Sequence, residues 1–206
     1  MNQLLIVGDG QEICINDRGT LRFEGTGRLE FPVSHPLAKG IIQLPLSAAR
    51  LIASNEIPNT AASPPGGILT SDTDPAFGRV NGATDKALRV RWPAGSIVEL
   101  ALPPFVYPLE LDDTMEVAVK LLAKMAGSTD TPTIAVGYFE GIGDTDAGGA
   151  TDSALSSTLA VITRRISLSD VGAAPAQASV TLTPGTHGTD AIDLFAAWIE
   201  FRRKKA

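Results

Sequence analysis

DAIDLFAAWIEFRR (Asp190–Arg203) admits two incompatible conformations, and the choice between them sets the class of the whole molecule. As a helix it carries one broad apolar stripe. As a regular strand it sets Ile192, Leu194 and Trp198 on one face and Phe195, Ile199 and Phe201 on the other, so both faces are apolar. DDTMEVAVKLLAKMAG (Asp112–Gly127) poses the same problem. Asp113 and Glu116 outline a capping box, Gly127 could close a helix, and Glu116, Lys120 and Lys124 share a helical face. Its alternation of Met115, Val117, Val119, Leu121 and Met125 with Glu116, Lys120 and Lys124 reads equally well as a half-buried strand, interrupted only by Leu122. Local propensity favours helix in both. The setting favours strand, because two helices here would interrupt a regular antiparallel succession.

That succession is written in the rest of the second half. ALRVRW (Ala87–Trp92) alternates Leu88, Val90 and Trp92 with Arg89 and Arg91, and IVELAL (Ile97–Leu102) puts Val98, Leu100 and Leu102 on one side. TIAVGYFE (Thr133–Glu140), TLAVITRRISL (Thr158–Leu168) and QASVTLT (Gln177–Thr183) supply three more strands, bounded by Gly141–Gly149, Pro175, Pro184 and Gly185. Short alternating runs with turn residues at this spacing predict an antiparallel β-sandwich of jelly-roll type over residues 76–206. Residues 1–75 predict an arm of short strands (LLIV, EICIN, LRFEG, RLEFPV), one short helix over Ser47–Asn55 with Ser47 as its N-cap, and a linker rich in Pro and Gly. The arm's strands are too thinly apolar for a core of their own. Leu4, Ile6, Ile13, Leu21 and Phe23 are therefore expected to dock on another surface.

Composition narrows function mainly by exclusion. A formal charge of −6 disfavours capture of nucleic acid or anionic lipid. Cys14 is the single cysteine, so no intrachain disulfide or thiolate zinc cluster can form, and its thiol is expected to be buried in a strand. The opening residues lack the basic start and long apolar run of a secretory signal. The longest apolar stretch, Leu100–Leu109, is broken by three prolines and cannot span a bilayer. These features predict a chain made in a reducing cytoplasm that uses no cofactor.

No constellation announces catalysis. His35 and His187 sit in turn-like contexts without a partner pattern, and read as surface or turn residues. Glu110, Asp112, Asp113 and Glu116 are the candidates for the carboxylate pair of a glycosidase, yet they flank a Pro-rich turn rather than alternating along one strand face. Asp144, Asp146 and Asp152 could offer oxygens to calcium, but complete no calcium motif, and a tight turn recruits the same residues. The basic end Arg202–Lys205 reads as a solvated terminus.

The wording GGILTSDTDPAFGRVNGATDKALRVRW, STDTPTIAVGYFEGIGDTDAGGAT and TPGTHGTDAIDLFAAWIEF, within about Gly67–Arg203, resembles the head decoration (cement) proteins of tailed bacteriophages. The resemblance implies a jelly-roll β-sandwich, a homotrimer, and a place on the capsid exterior, clamping the major capsid protein. It supports the strand reading of both ambiguous segments. Phe195, Trp198 and Phe201 are then the expected trimer contacts, and the arm residues named above the expected capsid contacts. The alternative is a carbohydrate-binding jelly roll on a fibre, tail or cell surface, with Trp92, Trp198, Tyr107 and Tyr138 as stacking platforms. A glycosidase using the 110–116 carboxylates ranks third.

Overall fold

The computed structural model describes residues 12–14, 20–24, 28–30, 39–52, 65–79, 87–112, 115–140, 146–167 and 177–203. In chain order the strands are β1 (Glu12–Cys14), β2 (Thr20–Glu24), β3 (Arg28–Glu30), β4 (Lys39–Gln43), β5 (Arg50–Leu51), β6 (Ala76–Arg79), β7 (Leu88–Trp92) and β8 (Leu100–Ala101). There follow β9 (Phe105–Val106), β10 (Val117–Met125), β11 (Ile134–Glu140), β12 (Gly149–Ala150), β13 (Ala160–Ile166), β14 (Gln177–Pro184) and β15 (Ile192–Arg202).

Both ambiguous segments are strands, and they are the two longest. β10 buries Val117, Val119, Leu121, Ala123 and Met125 on one face and turns Lys120, Leu122 and Lys124 to the other. Its backbone is satisfied by antiparallel ladders on both sides, to β13 and to β15. A helix would have placed the two lysines around the same cylinder as residues that need to be fully buried. Burial of each such side chain stabilises by about 1.5–3 kcal/mol, which outweighs the tenths that helix propensity contributes per residue. Asp113, half of the expected capping box, lies outside the described residues. Gly127 ends no helix. The space its side chain would fill is taken by the Asp190 carboxylate.

Two antiparallel six-stranded sheets form a jelly-roll β-sandwich. One runs β13-β10-β15-β7-β6, with β4 also alongside β15; the other runs β12-β11-β14-β8-β5, with β9 also alongside β14. β7 pairs with Ile192–Leu194 and β4 with Trp198–Arg202, so two short strands share one flank of β15. The core lies between the sheets. Ile134, Val136, Tyr138, Val180 and Leu182 from one meet Val90, Trp92, Leu121, Leu194 and Ile199 from the other, all at 0–1% exposure. The sandwich takes in residues well before 76, since β4 and β5 are integral to it, and the expected boundary at 75/76 does not separate arm from sandwich.

The helix expected over Ser47–Asn55 is absent from its described part. Leu46–Ala48 make one 3₁₀ turn with no side-chain cap, Ala49 is extended, and Arg50–Leu51 pair with Leu100–Ala101. Leu44, Leu46, Ala49 and Leu51 are all buried, and an extended path delivers them to the core where a two-turn helix could not. β1, β2 and β3 make a separate three-stranded sheet that, among the described residues, exchanges no ladder with either sandwich sheet. Within it Cys14 stands opposite Thr20, Ile13 opposite Leu21, and Phe23 opposite Leu29. Leu4 and Ile6 lie outside the described residues.

Candidate functional site

The outer face of the β15 sheet is open to solvent, and a bulge decides what it displays. Leu122 pairs with Ala196 but Ala123 pairs with Leu194, which leaves Phe195 as an extra residue on β15. Strict alternation would keep Ile192, Leu194 and Trp198 together. With the extra residue the inward set becomes Ile192, Leu194, Ala197, Ile199 and Phe201, and Trp198 turns outward. The expected trimer trio is thereby split. Phe195 and Trp198 are half-buried, whereas Phe201 is inside, its ring filling the space a side chain at Gly40 would need. Phe201 is corrected from contact residue to core residue.

Around Trp198 the ladder places Lys120 of β10 on one side and Gln43 of β4 on the other. The Lys120 ammonium donates to Thr163 Oγ1 of β13 at 3.2 Å. Further down, Lys39 Nζ meets Glu200 Oε1 at 2.8 Å beside Ile41, which is 58% exposed. At the upper end Asp193 stands between Lys124 and Arg91. Asp193 Oδ1 accepts Arg89 Nε at 2.6 Å and Arg91 Nε at 2.7 Å, and its Oδ2 accepts Arg91 Nη2 at 2.8 Å. The hydrogen bond to Asp193 raises the Arg91 guanidinium above its ordinary pKa, with burial opposing it. Asp193 and Arg89 are buried although they point outward, so this ion cluster is a rigid floor at the upper end of the face.

Three of the four expected sugar platforms are withdrawn from solvent. Trp92 is in the core with its indole N–H donated to Val98 O at 2.8 Å, and Tyr107 and Tyr138 are buried as well. Tyr138 reaches Glu140 Oε1 at 3.3 Å. Among the four, Trp198 alone keeps a face for a ligand. No sequence signal short of the bulge could have singled it out.

The remaining candidates have structural partners. Glu116 is paired with Arg165 Nη1 at 2.8 Å, and Glu110 lies 3.8 Å from Arg203 Nε. The Asp112 backbone N–H donates to Arg202 O. Glu116 and Glu110 are thus each held beside an arginine, and Asp113 lies outside the described residues. Asp146 Oδ1 accepts the Tyr138 and Gly148 N–H groups at 2.9 and 2.8 Å, holding the β11 turn, and Asp152 faces Arg165 at 3.5 Å. Asp144 and His35 lie outside the described residues. His187 is in a turn but is not on the surface. It is buried, with Nδ1 2.8 Å from Gly185 O and Nε2 3.1 Å from Pro93 O, and so ties two turns together.

No protein-family model and no curated protein matches the chain. Among solved structures it is similar to a family 30 carbohydrate-binding module of a Clostridium thermocellum cellulase. The identity is 9%, the coverage 77% of this chain and 96% of that one, and the TM-score 0.42. It is also similar to part of Clostridium thermocellum xylanase 10B (16%, 66% of this chain, TM-score 0.40) and of Cellvibrio japonicus xylanase 10C (13%, 61%, TM-score 0.38). This chain spans about a quarter of each xylanase chain, 25% and 26% respectively. At these scores no ligand or activity passes from any of the three to this protein.

Proposed function

We propose that this chain is a non-catalytic binding module that takes carbohydrate on the outer face of the β15 sheet. The observation that carries the reading is the placement of Trp198. A half-buried indole sits on the central strand of a solvent-facing sheet, flanked in register by Lys120 and Gln43. A pyranose ring offers a C–H face to an aromatic plane and hydroxyls at its rim to such side chains, so one platform with polar neighbours recognises it. The face is also too rich in charged side chains for the apolar centre of an obligate trimer interface. The test is binding of immobilised glycans by the native chain and by Trp198→Ala, with melting curves as the control. Hits that vanish in the variant support the reading. An absence of hits, or hits indifferent to Trp198, sinks it.

A second reading, the head decoration protein, has its own support. The β1–β3 sheet stands apart from the sandwich ladders, as a docking arm would. Phe195 and the exposed Ile41 and Val161 also lie on the outer face, where a sister subunit or capsid protein could cover them. Here Phe195 and Trp198, without Phe201, are the trimer contacts. A trimeric mass in light scattering and rebinding to stripped phage heads would favour it. A monomer that ignores capsids would remove it.

A further inference from the structure

The outer face of the β15 sheet carries a charge opposite to that of the molecule. Three cations, Arg89, Arg91 and Lys124, surround the single carboxylate of Asp193, and Lys120 stands beyond them next to Trp198. Among the described residues the upper part of the face thus holds four cations against one anion, in a chain whose net charge is −6. Lys120 and Lys124 form no ion pair among the described residues. They are four residues apart on one face of β10, hence about 13 Å apart along the strand.

We propose that the ligand of this face is an acidic polysaccharide, one whose rings carry carboxylates, with Lys120 and Lys124 taking two well-separated charges while the ring beside Lys120 lies against Trp198. The proposal rests on the carbohydrate reading and adds the ligand's charge. Two cations about 13 Å apart can meet carboxylates on separate rings of one chain, while the indole beside Lys120 takes the C–H face of a ring. A net charge of −6 weighs against capture of nucleic acid, which needs a larger cluster of cations. Arg89 and Arg91 are already committed to Asp193, so they supply a fixed positive background and leave the direct contacts to the lysines.

The test measures binding of the full chain to four probes by calorimetry: an oligogalacturonate, its methyl ester, a neutral xylo-oligosaccharide, and single-stranded DNA. The expected result is tightest binding to the oligogalacturonate, weakened about threefold by Lys120→Gln or Lys124→Gln and about tenfold by both. The ester should bind like the double variant, and added salt should weaken only the acidic probe. Equal affinity for acidic and neutral sugars overturns the charge inference and leaves the carbohydrate reading standing. Binding to no sugar overturns both, and preference for DNA replaces the ligand class. Unchanged melting of the lysine variants excludes unfolding as the cause of any loss.

Discussion

Changing Asp193 to asparagine would keep the shape of the side chain and remove the one carboxylate that neutralises Arg89 among the described residues. The Asp193 and Arg89 side chains are 3% and 7% exposed, so the guanidinium left behind could not be rescued by water. The new amide would also point a donor at donors where Asp193 now accepts three N–H groups within 2.8 Å. Loss of one partner from a buried pair costs about 3–5 kcal/mol. Arg91 is 37% exposed and would relax outward, which places the expected loss toward the lower end of that range. In urea, with a slope of about 2 kcal/mol/M, the midpoint should fall by roughly 1.5 M with the slope unchanged. Arg91→Gln, by contrast, should cost about 1 kcal/mol or less. The double variant Arg89→Leu/Asp193→Asn should recover most of the loss, since the uncompensated charge is then gone. A midpoint for Asp193→Asn within about 0.3 M of the native one, or a double variant no better than the single, would refute the account of the cluster.

Three other perturbations test separate parts of the sandwich. Gly40→Ala puts a methyl where the Phe201 ring lies and should cost about 1–3 kcal/mol in denaturant unfolding, by pushing β4 away from β15. Tyr107→Phe removes a buried hydroxyl with no hydrogen-bond partner among the described residues and should leave stability unchanged or raise it by about 1 kcal/mol, against the usual sign for a core substitution. Asp130 accepts the Asp190 and Thr189 N–H groups, which hold its carboxyl below the ordinary carboxylate value. Its folded pKa is depressed, so its contribution is complete above about pH 4 and fades as pH falls through the folded value. The acid limb of a stability-against-pH curve should therefore be shallower in Asp130→Asn.

Most of the sandwich was legible because period-2 patterns state their own answer. In β14, Ala178, Val180 and Leu182 are buried between half-exposed neighbours, as the alternation in QASVTLT required. The path of Ser47–Leu51 was not legible. A serine before two alanines looks like a helix start, and only the pairing of Leu51 with Leu100, nearly fifty residues away, overrides it. The burial of His187 was illegible for a similar reason, since the carbonyls that enclose it come from Gly185 nearby and from distant Pro93. The candidate site failed in a different way. Trp198, Lys120 and Arg91 were each assigned to strands, but which of them share a face depends on one unpaired residue that no local pattern marks.

That dependence can be tested by deletion. Without Phe195, Ala196 would follow Leu194 directly, and a regular strand would still send Ala197, Ile199 and Phe201 inward and Trp198 and Glu200 outward. The ladder to β10 needs no slip, because the deleted residue has no partner there. The expected cost is about 1–3 kcal/mol for the lost ring and the altered twist. Deleting Thr181 from β14 is the contrasting case. The β14 ladder to β11 runs without a register shift, so one half of the strand must exchange its faces. That would expose either Ala178 and Val180 or Leu182 and Pro184, and would break the pairing with β8 as well. Each large apolar side chain turned out loses about 1.5–3 kcal/mol, and with the broken ladders the total approaches the 5–15 kcal/mol that holds a whole domain. The first deletion should therefore yield a soluble protein with a cooperative, lowered urea midpoint, and the second an insoluble or unfolded one. If the two behave alike, Phe195 is not an unpaired insertion, and the outward placement of Trp198 that the binding face requires loses its structural basis.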